Sequence, residues 1–150
     1  MSSTEEYGLR CLLQVARHQA AGPVPIQLIA SHEGLSPEHT AKLLRILREA
    51  DLVASTRGSG GGYQLARDAK DISVLQVLEA IDGSLLPEDW CGRHAGRLDN
   101  CVHSTGCSLV GLWLHIARVM GGALSTISLD DLATGRLNSA TRRALEANAS

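Results

Sequence analysis

The sequence contains no run of about eighteen apolar residues, the length that predicts a membrane-spanning helix. Its first segment, Met1 to Arg10, is polar and acidic, whereas a signal peptide has a basic segment followed by an apolar one. We therefore expect a cytoplasmic protein without a membrane partner. The sequence also has no P-loop, no dinucleotide fingerprint and no nucleophile elbow, so no motif in it predicts an enzyme.

Positive charge is also scarce. The chain has 14 Lys and Arg against 16 Asp and Glu, a formal net charge of −2, which excludes a protein that coats nucleic acid through bulk positive potential. Residues 36–67 differ, because they contain five basic and three acidic side chains. This local excess permits DNA binding but does not predict it alone.

Cysteine is infrequent and unevenly placed. Three of the four cysteines, Cys91, Cys101 and Cys107, fall within seventeen residues, while Cys11 lies among apolar residues of a predicted helix. In a reducing cytoplasm, clustered thiols favour metal binding or redox chemistry over structural disulfides. We expect Cys11 to be a buried, inert thiol.

The first third of the chain predicts three helices. Apolar residues recur at helical spacing from Glu5 to His18, and a short second helix begins after Pro25 and ends near Gly34. The third begins at Ser36, a typical N-cap, with Pro37 at its first position. Two helices joined by a short glycine-containing turn are typical of a helix-turn-helix.

A β-hairpin follows the third helix. The runs from Leu52 to Thr56 and from Gly62 to Ala66 predict two strands, separated by Arg57-Gly58-Ser59-Gly60-Gly61. A hairpin tip with little side-chain bulk suits a loop that closely approaches a partner. The predicted fold is mainly α, a winged helix-turn-helix with a two-stranded wing, a cysteine-bearing loop and a long dimerisation helix.

The second half begins with a helix that is capped near Ser73 and ends at Gly83. Residues 85–106 have no periodicity and predict an irregular loop, longer than a compact domain usually contains without a functional reason. The apolar helix from Leu109 to about Leu124 needs a second surface, which a dimer partner would supply. We expect a DNA-binding domain at 1–83, a cluster-binding loop at 84–107, a dimerisation helix with a short C-terminal helix at 108–136, and a flexible tail at 137–150.

Several motifs together resemble the bacterial regulator family that includes IscR, NsrR and RsrR, over roughly residues 4 to 133. They are Glu6-Tyr7-Gly8-Leu9-Arg10, the helix-turn-helix, Arg57-Gly58-Ser59-Gly60-Gly61-Gly62-Tyr63, the three cysteines and Ser128-Leu129-Asp130-Asp131-Leu132. The resemblance implies a homodimer on a palindromic operator and, in many members, an iron–sulfur cluster.

The third helix is the expected recognition helix, whose N-terminal residues face base edges in the major groove. An arginine among wing glycines suits the narrow minor groove, where the negative potential is enhanced. The expected contacts with double-stranded operator DNA are Ser36, Glu38, His39, Thr40, Lys42, Arg45, Arg57 and Ser59. The alternative for each helix residue is an ordinary solvated face.

The cysteines have the spacing C-x9-C-x5-C, and thiolates are the ligands that iron–sulfur clusters require. Ordinary loop thiols are one alternative. Another is a tetrahedral zinc site that adds His94 or His103, although zinc ligands are usually paired more closely.

Three cysteines leave a four-ligand cluster one ligand short. The resemblance implies two ways to complete it: Glu6 contributed by the partner subunit, or the set used by RsrR-like members, here Glu6, His32, Cys91 and Cys107. The first two cysteines are farther apart than in commoner members, so both a [2Fe-2S] and a [4Fe-4S] cluster remain open. Glu6 is equally suited to the first turn of a helix, and His32 to an exposed helix end.

The sequence thus predicts a transcription regulator that senses redox state, nitric oxide or iron–sulfur status. Two rival classes remain: an electron-transfer protein or enzyme that uses the same cluster, and a cluster-free or zinc-stabilised regulator that senses a small molecule or partner protein.

Overall fold

The computed structural model of this chain describes residues 2–85, 103 and 107–137. In chain order its elements are α1 (Ser3–His18), α2 (Ile26–Glu33), α3 (Pro37–Glu49), β1 (Val53–Thr56), β2 (Gly62–Leu65), α4 (Val74–Asp82), α5 (Ser108–Ser125) and α6 (Leu129–Ala133), with 3-10 turns at Gln19–Ala21 and Ala69–Asp71. The predicted mainly helical fold with a two-stranded wing is confirmed. Apart from Leu85 and His103, the predicted loop at 85–106 lies outside the described residues, as does the tail beyond residue 137.

Local chemistry explains the ends of the first three helices. Ser2 and Glu5 form a capping box, so α1 begins two residues before the predicted Glu5. The α2 helix ends at Glu33 because Gly34 follows it with a φ of 65°, the left-handed conformation that glycine adopts without strain. The Ser36 hydroxyl accepts a hydrogen bond from the His39 N–H at 3.1 Å and thereby caps α3.

The wing is held against the start of α2. Strands β1 and β2 pair antiparallel, with Val53 opposite Leu65 and Thr56 opposite Gly62. Val24 then adds a third extended segment: its N–H donates to the Tyr63 carbonyl at 2.8 Å, and the Tyr63 N–H donates to the Val24 carbonyl at 2.9 Å. These two bonds tie the hairpin to the helix-turn-helix.

One hydrophobic core joins α1, α2, α3, α4 and the wing. Its fully buried side chains include Leu12, Ile29, Leu44 and Ile72. The Leu129 side chain of α6 is also fully buried in this core, and its N–H donates to the Ile72 carbonyl at 2.8 Å. The division predicted from the sequence places this short helix beside the dimerisation helix, whereas its packing joins it to the winged helix.

The α5 helix spans Ser108–Ser125, one residue longer at each end than expected, and none of its residues is buried. By length and composition alone, it is a helix apolar enough to cross a membrane, although every residue of that window is exposed or half-buried in the single chain. Six of its large apolar side chains are exposed: Leu109, Leu112, Trp113, Leu114, Val119 and Met120.

Candidate DNA interface and candidate metal centre

The start of α3 presents a polar, solvent-exposed face. Ser36, Glu38, His39, Lys42 and Arg45 are all exposed. Arg45 also pairs with Glu49 one turn later at 2.8 Å, a surface ion pair that contributes little to stability and can exchange for a phosphate. The predicted recognition residues therefore share one accessible surface, with Thr40 as the exception.

Thr40 is fully buried. Its position belongs to the inward face of α3 together with Leu43, Leu44 and Leu47, because residues three and four apart share a helix face. Its hydroxyl donates to the Ser36 carbonyl at 3.0 Å. The expectation that Thr40 contacts a base is corrected accordingly, since its side chain packs in the core and has no access to a groove.

Arg57 and Ser59 lie at the exposed tip of the wing. A groove of about 300 Å³ separates the wing from the start of α2, and Gln27, Thr56 and Arg57 contribute to its lining. One wall is Gly62, where an added Cβ would lie 2.5 Å from the carbonyl carbon of Val24, so the two segments are in contact at their backbones. The position of Arg57 thus depends on this close approach.

A row of polar residues spaced four apart runs along α1 and meets the C-terminal end of α2. The Arg10 Nε donates to Glu33 Oε2 at 2.6 Å, and an Arg10 terminal nitrogen donates to the Glu33 backbone carbonyl at 3.0 Å. The Gln14 amide nitrogen donates to the other Glu33 carboxylate oxygen. Glu33 is only 9% exposed in its side chain, so Arg10 and Gln14 together compensate a largely buried charge.

Two histidines, one on each helix, lie at the end of this row. The ring of His18, on α1, lies edge-to-face against the ring of His32, on α2, with centroids 5.1 Å apart. The Nδ1 of His18 is 3.0 Å from the Gln14 backbone carbonyl, and the Nδ1 of His32 is 3.2 Å from the Gln14 side-chain oxygen.

A second contact links α1 to the recognition helix. The Tyr7 ring meets the His39 ring edge-to-face at 5.8 Å, and the Arg10 guanidinium lies 5.5 Å from the centre of the Tyr7 ring. Glu6, one residue before Tyr7, is exposed and attracts Arg10 electrostatically. The helix that carries Glu6 therefore also contacts a residue of the predicted DNA surface.

The candidate metal ligands are only partly described. Cys107 is a half-buried free thiol at the N-cap of α5, and its side chain makes no capping hydrogen bond. Glu6, His32 and His103 are exposed. Cys91, Cys101 and His94 lie outside the described residues. Within the described part of the chain, no three His, Cys, Asp or Glu side chains converge on one point.

Cys11 is fully buried, as predicted. Burial raises the pKa of its thiol to about 12, because the thiolate would lose its hydration, and the nearby Glu33 acts in the same direction. Cys11 therefore stays protonated and unreactive at neutral pH.

Sequence reasoning overlooked Tyr7, Gln14 and His18. A signal was present, because Glu6, Arg10, Gln14 and His18 recur every four residues and must share one side of α1. That pattern does not show which other helix the row faces.

Comparison with known proteins identifies relatives of this chain. Residues 1–135 match the family described as "Rrf2: Iron-dependent Transcriptional regulator". The HTH-type transcriptional regulator IscR of Photobacterium profundum is 38% identical over 132 residues, which cover 88% of this chain and 74% of that protein. The protein rrf2 of Nitratidesulfovibrio vulgaris is 36% identical, covering 88% of this chain and 85% of that protein.

Two solved structures are similar over most of the chain. T. potens IscR has a TM-score of 0.72 and 28% identity, covering 91% of this chain and 87% of that one. CymR, described as the global cysteine regulator of B. subtilis, has a TM-score of 0.72 and 26% identity, covering 89% of this chain and 95% of that one.

Proposed function

The chain belongs to the Rrf2 family of transcriptional regulators, and on that premise we propose that it senses redox state, nitric oxide or iron–sulfur status through a bound iron–sulfur cluster. As in its relatives, the function is DNA-binding transcription regulation and not catalysis. The observation that carries the proposal is the accessibility of thiol, carboxylate and imidazole donors on three separate elements, in a family described as iron-dependent. A cytoplasmic location fits this function.

The described donors suit such a cluster chemically. Cys107 supplies a thiol at the N-terminal end of α5, where unpaired backbone N–H groups stabilise negative charge. Glu6 and His32 are exposed and therefore open to a second subunit or to the cysteine loop. We propose Cys107 with Cys91, completed either by Cys101 and the partner's Glu6 or by Glu6 and His32. A bound cluster of either nuclearity would supply a one-electron redox centre that joins the ligands.

The contacts of α1 offer a route from this centre to DNA. A change in what Glu6 binds alters its attraction for Arg10, and Arg10 stacks on Tyr7, which contacts His39 on α3. A signal changes operator affinity only if two arrangements of these helices bind the ligand differently. The proposed mechanism is that ligation of Glu6 favours one arrangement of α1 against α3.

DNA recognition is proposed to use the exposed surface described above. Glycine neighbours allow the wing to approach the minor groove, and the N-terminal residues of α3 face the major groove. The proposed contacts are Ser36, Glu38, His39, Lys42, Arg45, Arg57 and Ser59.

The exposed side of α5 supports a homodimer. Leu109, Leu112, Trp113, Val119 and Met120 recur at helical spacing, whereas Leu114 faces the cavity between α4 and α5. A stripe of this size is unfavourable in water and is typical of a subunit interface. We propose that two chains pair along α5 and place two recognition helices on a palindromic operator. Sedimentation should report a dimer, and Val119→Glu should shift it towards monomer.

The test is a comparison of loaded and cluster-free protein. Anaerobically purified protein should absorb visible light and contain iron and sulfide, and both signals should fall in Cys107→Ser. Operator duplexes selected from a random pool should then bind the two forms with different affinity at matched salt. Equal affinity would contradict the sensing mechanism. A purified protein that is colourless would contradict the bound cluster but not the proposed DNA binding.

A cluster-free regulator is the second candidate. It is favoured by the similarity to CymR, whose description names cysteine regulation and no cluster. A colourless protein that binds operator DNA, with or without one zinc per chain, would support it.

A further inference from the structure

The hydrogen bonds around Gln14 determine the tautomers of two histidines. The Arg10 guanidinium holds the Glu33 carboxylate, which accepts the Gln14 amide N–H. The Gln14 side-chain oxygen must therefore point the other way, towards His32 Nδ1 at 3.2 Å. A carbonyl oxygen only accepts, so His32 Nδ1 carries the proton of the neutral ring.

The same reasoning applies to His18. Its Nδ1 lies 3.0 Å from the Gln14 backbone carbonyl, which also only accepts. In both neutral rings the lone pair is therefore on Nε2. Neither Nε2 has a hydrogen-bond partner among the residues that the structure describes.

The two tautomers are the ones that many metal-binding histidines adopt. Such histidines donate the other ring N–H to a carbonyl or carboxylate, which orients the ring and raises the basicity of the free nitrogen. Two imidazoles bound to one tetrahedral ion at about 2.0–2.1 Å have ring centres roughly 5 Å apart. The rings of His18 and His32 have centroids 5.1 Å apart.

From this geometry we infer that His18 and His32 form a mononuclear site for a divalent transition-metal ion of the zinc class, with Gln14 as its positioning residue. The site goes beyond the proposed function, because it requires neither the cysteine loop nor a cluster. The described chain supplies two protein ligands and no third, so solvent fills the remaining positions. If His32 binds a cluster, the pair is occupied only in the cluster-free protein.

The tautomers are testable without any metal. In the full-length, cluster-free protein, two-bond 1H–15N spectra of the histidine rings should show both His18 and His32 protonated on Nδ1. A ring protonated on Nε2 at either position would overturn the inference.

Metal binding is tested in Cys91→Ser/Cys101→Ser/Cys107→Ser protein, which removes the competing thiolates. Calorimetric titration with Zn²⁺ should give one ion per chain, and Co²⁺ should produce d–d bands without a thiolate charge-transfer band. His18→Ala and His32→Ala should each weaken Zn²⁺ binding at least about tenfold, and Gln14→Met about tenfold, the usual effect of losing an outer-shell partner. His39→Ala, which removes an imidazole outside the pair, should leave Zn²⁺ affinity within about twofold of the parent.

Absence of Zn²⁺ binding, or equal binding after His18→Ala, would refute the site, and neither result would bear on the visible spectrum of the native protein. The two proposals fail separately, because a colourless native protein would refute cluster sensing while zinc binding by the histidine pair would still support this one.

Discussion

Replacing Gly62 by alanine should detach the wing from the helix-turn-helix. A Cβ at this position would lie 2.5 Å from both the carbonyl carbon and the oxygen of Val24, and 2.9 Å from the Pro25 nitrogen. All three are backbone atoms, so no flexible side chain can move aside. The added methyl therefore has to separate β2 from the segment before α2.

The cost follows from the bonds that this separation breaks. The two backbone hydrogen bonds between Val24 and Tyr63 are 2.8 and 2.9 Å long. Each contributes a net of about 0.5–1.5 kcal/mol, so Gly62→Ala should lower the free energy of unfolding by about 1–3 kcal/mol. At a typical urea dependence, the unfolding midpoint should fall by about 1 M.

Urea unfolding followed by circular dichroism, at one protein concentration, measures this loss. The matched control is Gly60→Ala in the same hairpin, because an added Cβ there meets nothing within 4 Å. Gly62→Ala should also weaken binding to a selected operator, since Arg57 moves with the wing, whereas Gly60→Ala should not lower the unfolding midpoint. If the two variants unfold at the same urea concentration as the parent, the close approach of Gly62 to Val24 is not what holds the wing.

Three further perturbations test other parts of the molecule. Arg57→Ala should weaken operator binding and reduce the slope of log affinity against log salt by up to about one, as fluorescence anisotropy across a salt series would report. Leu129→Ala empties a fully buried position and should cost about 2–5 kcal/mol in urea unfolding, with the winged helix and α6 unfolding together. Hydrogen bonds from Ser128 and Arg136 lower the pKa of Asp131 from 3.8 to about 2, so its stabilising effect is present above about pH 4 and is lost as the pH falls to about 2. Asp131→Asn should therefore be less stable than the parent at pH 7, with the difference vanishing by about pH 2.

A specific outcome would contradict the expectation for each of these three variants. An unchanged salt slope in Arg57→Ala would exclude a phosphate or minor-groove contact by that side chain. Separate unfolding transitions in Leu129→Ala would mean that α6 does not share the core. For Asp131→Asn, a stability difference that persists at pH 2 would show that the loss arises from packing and not from the carboxylate charge.

Local chemistry made the helix-turn-helix and the wing predictable. Ser36 and Pro37 start α3, Gly34 ends α2, and a short glycine-rich segment turns the hairpin, because each feature depends only on backbone geometry within a few residues. The polar face of α3 was predictable except at Thr40. A threonine is compatible with either face of a helix, and only the packing around α3 shows that Thr40 is buried.

The family motifs likewise identified the candidate cluster ligands without a structure, because a motif depends only on residue type and spacing. How those candidates are positioned depends on contacts between residues far apart in the chain. Leu129 and Ile72 are buried in the same core, so α6 packs with the winged helix although it follows α5 in the sequence.

Periodicity places Arg10, Gln14 and His18 on one side of α1, yet it does not specify what that side meets. The crossing of α1 and α2 brings Glu33 and His32 against this row and so orients the Gln14 amide towards His32, whereas the Gln14 carbonyl that faces His18 lies on α1 itself. The elements and the donor types were therefore predictable without a structure, because they follow from local backbone and side-chain chemistry. Which of these donors meet is a property of the tertiary structure, because helix packing sets the distances between them.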